Sequence, residues 1–187
     1  MIILASQSPR RHQLLKLVAD DFVIEASDIT EDLDNTVIIN KAIEELAYKK
    51  AFKVFKKHPE DIVVGADTIV LLKEEVLGKP KDREDAIAML MKLSDNIHYV
   101  LTGVSILSKQ ASSSFNVVTQ VVFYKLSEKH IVDYVDEYKP FDKAGAYAIQ
   151  DKAATFIKEI HGDYYNIMGL PVARLSRELA RIKELIK

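Results

Sequence analysis

Asp67, Arg10 and Arg11 are the residues of this sequence whose types and settings could do chemistry on or beside a polyanion. Asp67 follows the apolar run Ile62-Val63-Val64 in the stretch DIVVGADT, which puts it at or just past the end of a buried strand. A carboxylate fixed there can hold a divalent cation or take a proton from a water molecule. The blander task is to accept backbone amides in a turn, the commoner fate of a lone aspartate at a strand end.

Arg10 and Arg11 sit where positive charge is least welcome. Ser8-Pro9 is a helix start: the serine hydroxyl suits a first-turn amide, and the proline stands where no donor is needed. Aligned peptide dipoles leave partial positive charge at that end, so each arginine costs a few tenths to ~1 kcal/mol. An anion reverses the sign, because free amides and two guanidinium forks together receive phosphate oxygens. The alternative is a pair of solvated arginines, or pairs with nearby acids, and the segment alone leaves both open.

Other residues are weaker signals by themselves. Gly78 and Pro80 frame a turn around Lys79, Lys50 lies on a helical pattern, and both read first as solvated lysines. Glu31 belongs to the acidic run SDITEDLD and reads first as part of a polar loop. Gln150 closes AGAYAIQ; its amide can bond a nucleobase edge through donor and acceptor, or be buried against backbone. GDYYNIMGLP reads first as a turn bounded by glycine and proline. The histidines at 12, 58, 98, 130 and 161 are scattered without metal-ligand spacing.

The elements that must position these residues follow from periodicity. Ile2 to Ala5 is a short buried strand, and Leu14, Leu15, Leu17 and Val18 recur at helical spacing after it. Residues 37–57 carry a longer helical pattern, and DIVVGADTIVLL reads as two β-rich segments around Gly65 to Thr68. Asp82, with Asp85 three residues on, caps a helix bearing Ile87, Leu90, Met91 and Leu93. Tyr99 to Leu107 and Phe115 to Leu126 are strands, and Ser127 caps a helix through Tyr138. AGAYAIQ and ATFIKEI read as strands, HGDYYN as a turn, and Pro171 opens a C-terminal helix. The order predicts an α/β fold, a mixed sheet flanked by helices, rather than a regular Rossmann alternation.

Composition narrows the classes. The chain has 187 residues, 48% of them hydrophobic, enough for one substantial core or a bilobed one. A net charge of −2 gives no global basic footprint, which argues against a nucleic-acid polymer and leaves a small anion open. The absence of cysteine excludes disulfides, thiolate metal sites and thiol nucleophiles. There is no secretory pattern at the start and no run of about 18 apolar residues, so the expectation is a cytoplasmic protein off the membrane. Neither G-x-x-x-x-G-K-[ST] nor G-x-G-x-x-G occurs, so phosphate would have to be held by a helix end and side chains.

Taken in order, LASQSPRR, GADT, GKP, KAGAYAIQ and GDYYNIMGLP resemble the Maf family of nucleoside triphosphate pyrophosphatases, also called septum-formation-inhibitor proteins. The resemblance spans nearly the whole chain and treats 1–187 as a single domain. It implies hydrolysis between the α- and β-phosphates of a nucleotide, with a divalent metal cation, magnesium or manganese. It also implies an inosine-triphosphatase-like fold of two lobes with a deep cleft, commonly as a homodimer. By motif, Asp67 matches the proton acceptor, and Lys50 and Lys79 match lysines that neutralise phosphoryl oxygens. Ser8, Arg10 and Arg11 match the phosphate-binding segment, and Glu31 with Asp67 matches the metal-binding acids.

Three positions mark the substrate branch. Arg10, Thr68 and Gln150 resemble the branch acting on dTTP and UTP, whereas a branch acting on 7-methyl-GTP carries Trp, Gln and Glu there. Asp151 is a departure, since the family usually has Gly after that glutamine. The rival reading is a nucleotide-binding regulator of cell division or septum formation without significant catalysis. A phosphomonoesterase or kinase would differ again, in releasing orthophosphate or needing an acceptor.

Overall fold

The computed structural model describes residues 1–29 and 38–186. Its strands are β1 (Ile2–Leu4), β2 (Val23–Ile24), β3 (Ile62–Leu72), β4 (Glu75–Leu77), β5 (Ile97–Leu107), β6 (Ser112–Phe123) and β7 (Ile157–His161). The helices are α1 (Pro9–Leu15), α2 (Ile39–Phe55), α3 (Arg83–Leu93), α4 (Glu128–Tyr138), α5 (Tyr164–Met168) and α6 (Val172–Leu185). The strands form one seven-stranded sheet in the order β2-β1-β3-β5-β6-β7, with β4 paired to β3. It is mixed: β1 runs parallel to β2 and β3, while β4 and β7 run antiparallel to β3 and β6.

The chain divides into two compact units. Unit 1 holds Met1–Thr68, Thr102–Val117 and Gly169–Lys187, and unit 2 holds Ile69–Leu101 and Val118–Met168. In unit 1, α2 lies unusually close to the strands. A Cβ on Gly65 of β3 would stand 2.5 Å from the Ala47 carbonyl oxygen, and one on Gly103 of β5 would stand 2.3 Å from that of Ile43. Only glycine admits helix backbone at that distance. On the C-terminal helix α6, Leu175, Leu179 and Ile182 recur at helical spacing and are buried.

Unit 2 is built around aromatic rings and aliphatic residues from α3 and α4, among them Leu90, Leu93, Ile131 and Val135. Phe123 takes edge-to-face contacts with His98 at 4.9 Å, Tyr147 at 5.0 Å and Phe156 at 6.2 Å between centroids. The caps expected for its helices form: Asp82 accepts from the Asp85 amide, and Ser127 from the His130 amide.

Several expectations are corrected. GADT does not separate two segments; β3 runs unbroken through it, because Gly65 serves a helix contact and not a turn. AGAYAIQ is not a strand but a 3-10 turn at Ala144–Ala146 followed by irregular chain. Gly145 at φ +69° and Ala146 at φ +60° take the left-handed conformation, which no strand tolerates. ATFIKEI opens as a 3-10 helix, Lys152–Phe156, and becomes β7 only from Ile157. HGDYYN is partly helical, since Asp163 accepts the amides of Tyr165 and Asn166 and so starts α5.

Candidate active site

Asp67 lies inside β3 and not at its end, and it is buried. Gly65 and Asp67 are two residues apart and therefore share one face of the strand. The close approach of α2 at Gly65 brings its Lys50 onto that face, where the Lys50 ammonium forms a buried ion pair with Asp67 Oδ1. Burying two charges is favourable only with good geometry, and loss of one partner strands the other. The lysine read first as solvated is thus an interior residue whose charge answers the aspartate.

Arg10 and Arg11 occupy the first turn of α1, with Pro9 as its first residue. Ser8 does not cap the helix through its side chain; its own amide donates to Ser6 Oγ at 3.2 Å. With seven residues α1 spans two turns, so the anion argument rests on the guanidinium groups more than on the dipole. The two arginines have separate fates. Arg11 is bound into unit 1: Nε donates to the Gly169 carbonyl at 2.9 Å, one terminal nitrogen to Thr68 Oγ1 at 3.0 Å, and the other to Ser6 Oγ at 3.3 Å. The Arg10 side chain makes no hydrogen bond or ion pair with any described residue. Thr68 Oγ1 in turn lies 2.9 Å from Thr102 Oγ1 on β5.

In unit 2, Lys79 is exposed between β4 and α3. Its loop is tied to the KAGAYAIQ segment where the Gly145 amide donates to the Gly78 carbonyl at 3.0 Å. Gln150 is exposed and makes no hydrogen bond with a described residue, so the buried, backbone-bonded alternative is excluded. Asp151 accepts from the Ala153 amide at 2.9 Å and from the Tyr134 hydroxyl at 3.2 Å to each carboxylate oxygen. Glu31 lies outside the described residues. Among the described residues no three His, Asp or Glu side chains converge as a metal cluster.

Sequence reading passed over Ser6, Thr102, Tyr134 and Asn166. Asn166 is fully buried and donates to the Val100 carbonyl and to Thr119 Oγ1, both at 3.0 Å. The available signal for Thr102 was a single aliphatic hydroxyl inside the largely apolar stretch VLTGV.

Known proteins place the chain. The model of the Maf-like protein family matches residues 1–182. The chain belongs to that family. It is 50% identical over 181 residues to a dTTP/UTP pyrophosphatase of Geobacillus sp. (strain WCH70), covering 97% of each chain. A dTTP/UTP pyrophosphatase of Bacillus cereus (strain ATCC 14579) is 44% identical over 178 residues, which is 95% of this chain and 93% of that one. Among solved structures, the Staphylococcus aureus Ham1 protein matches with a TM-score of 0.55 at 15% identity, covering 96% and 97% of the two chains. A HAM1 protein from Coxiella burnetii matches with a TM-score of 0.50 at 12% identity, over 96% and 98%. At such identities the likeness is one of fold, the inosine-triphosphatase-like fold that the sequence resemblance implies. No helix among the described residues of this Maf-like chain is long and apolar enough to cross a membrane.

Proposed function

We propose that this Maf-like chain hydrolyses dTTP and UTP to the nucleoside monophosphate and pyrophosphate. The observation that carries the reading is the buried Asp67–Lys50 pair in a chain half identical to a dTTP/UTP pyrophosphatase. Water attacks the α-phosphorus, the bond to the α,β-bridging oxygen breaks, and pyrophosphate leaves with the electron pair. Asp67 takes the proton of the attacking water, the work a fixed carboxylate does well. Lys50 holds that carboxylate in place, and Lys79 neutralises phosphoryl oxygens as charge builds. Arg10, Arg11 and Ser8 receive the phosphate chain, and Thr68 orients Arg11 through their hydrogen bond.

A divalent cation, magnesium or manganese, fits the donor chemistry. One or two carboxylates, Asp67 with Glu31, plus the oxygens of the nucleotide make the donor set that magnesium accepts. Such a cation supplies neutralisation of the polyphosphate charge. Residues 1–187 act as a single family domain, in a homodimer in the cytoplasm.

Incubation with a panel of canonical and modified triphosphates and magnesium or manganese tests the reading, with monophosphate, pyrophosphate and orthophosphate measured separately. The expected result is monophosphate and pyrophosphate in equal amounts, with dTTP and UTP ahead of ATP and GTP. Orthophosphate as the first product, or binding without turnover, overturns it.

A further inference from the structure

The acceptors that hold the Arg11 guanidinium all belong to unit 1, and each of the two hydroxyls among them has a second partner. A guanidinium carries five N–H groups in a rigid planar fork, so binding three of them fixes the direction of the other two. Gly169 offers a carbonyl, which needs no further orienting. A hydroxyl does, because it rotates about its C–O bond and only its lone pairs, not its proton, suit a cation. Ser6 Oγ is set by the Ser8 amide, which donates to it at 3.2 Å. For Thr68 the setting comes from Thr102.

Thr102 lies on β5, next to β3 in the sheet, and is fully buried. Its Oγ1 stands 2.9 Å from Thr68 Oγ1. In a pair of hydroxyls either oxygen can donate, and here the cation decides. A Thr68 proton aimed at Arg11 would be repelled, so it goes to Thr102 and leaves the lone pairs facing the guanidinium. Gly103, the next residue, is where a Cβ would meet the Ile43 backbone of α2, and successive strand residues face opposite sides. The Thr102 hydroxyl therefore lies away from the helix that carries Lys50.

We propose that Thr102 is a positioning residue: its hydroxyl takes the Thr68 proton, locks the Thr68 acceptor toward Arg11, and so holds the arginine fork ready for the phosphate chain. This assignment rests on the reading of Arg11 as a phosphate ligand. Thr102 acts from behind Thr68 and does not touch the nucleotide. Packing alone would ask for its methyl group and volume; the relay asks for its oxygen.

The test uses the full-length protein with magnesium and two readouts, steady-state hydrolysis of UTP and the calorimetric Kd of the non-hydrolysable α,β-methylene analogue of UTP. Thr102→Val keeps the branched shape and removes the oxygen, Thr102→Ser keeps the oxygen and removes the methyl, and Thr102→Ala removes the hydroxyl a second way should the valine variant fail to fold. Thr102→Val is expected to raise KM and the analogue Kd about three- to tenfold, the scale of one hydrogen bond, with little change in kcat. Thr102→Ser is expected to restore the parent values. In a Thr68→Val background Thr102→Val should add nothing, as groups acting through one contact require. Weakening that Thr102→Ser shares, or that persists in the Thr68→Val background, is packing and overturns the proposal. If Arg11→Ala leaves the analogue Kd unchanged, the phosphate reading of Arg11 is wrong and the relay falls with it. If Arg11→Ala raises that Kd while Thr102→Val and Thr102→Ala bind like the parent, Arg11 keeps its role and the relay alone is overturned. Analogue binding without UTP hydrolysis strikes the proposed reaction, while the Kd series still decides the relay.

Discussion

The Asp67 region of unit 1 and the Gln150 region of unit 2 hold their candidate side chains by opposite means. Asp67 and Lys50 project from a strand and a helix, are buried, and answer each other's charge. Lys79 and Gln150 stand exposed on loops, and what holds them is backbone: the Gly78–Gly145 bond and the turn closed at Asp151. Charge that must be buried before substrate arrives needs a partner, since an unpaired ion in the interior is too costly. A side chain that reads the outline of a base needs to stay open, and only its anchorage has to be rigid. On the proposed reading, the chemistry sits on regular elements and base recognition on a loop anchored through its backbone.

Substitutions can break this contrast, the strongest at Asp67. Asp67→Asn keeps the shape but removes the base and leaves Lys50 without its counter-charge. We expect kcat to fall about 10²–10⁴-fold with nucleotide binding still measurable by calorimetry. Residual turnover within about tenfold of the parent would remove Asp67 from the role of base.

Acid sharpens the contrast from the other unit. His98 is buried with its Nε2 bonded to the Tyr147 hydroxyl at 2.8 Å, and its Nδ1 has no partner among the described residues. Burial lowers its pKa from 6.5 to about 4, so the folded protein holds it neutral while the unfolded chain protonates it. Its contribution is complete above pH 6.5 and is lost as pH falls from 6.5 toward 4, about 3 kcal/mol over the whole window. Denaturant unfolding at pH 7 and pH 5 should show the loss, and His98→Gln should flatten it. Equal slopes in the two proteins would contradict the assignment.

Within unit 1, the adjacent arginines separate binding from scaffold. Arg11→Ala removes three hydrogen bonds to Gly169, Thr68 and Ser6, so it should lower the melting temperature and raise KM together. A loss of about 1.5–3 kcal/mol is the scale for such charged hydrogen bonds. Arg10→Ala should raise KM with the melting temperature unchanged. Identical behaviour of the two would erase the distinction between a tethered and a waiting arginine.

The smallest effect is expected where the side chain is most exposed. Gln150→Glu loses the amide donor and sets a carboxylate against the base carbonyl, so UTP should suffer about a tenfold fall in kcat/KM, the scale of one unpaired polar group. Folding stability should not move. A melting temperature lowered by several degrees would show that Gln150 is structural.

Legibility differed residue by residue. DIVVGADT revealed Asp67 because a charged residue beside a β-rich apolar run is conspicuous, yet it misled about the strand end. Glycine reads locally as a breaker, and its use at position 65 is a tertiary contact with Ala47. Apart from its motif match, Lys50 read as a solvated lysine in KKAFKVFKK, and only the packing of α2 buries it. AGAYAIQ alternates like a strand, but the Gly78–Gly145 bond and the left-handed Gly145 and Ala146 override the pattern. Ser8 and Ser6 offered equal hydroxyls near one helix start, and geometry gave the bond to Ser6.

By itself the sequence determined the mixed α/β class, the caps of α3 and α4, the opening of α6 and the family motifs in order. These depend on periodicity, on residue type and on neighbours within a few positions, which the chain states directly. Tertiary structure alone decided that Asp67 meets Lys50, that Arg11 is held by acceptors from positions 6, 68 and 169, and that Asp151 is bonded by Tyr134. Each joins groups from different elements, and such contacts exist only after burial has packed helix on sheet, because hydrogen bonds and ion pairs fall away within a few ångströms.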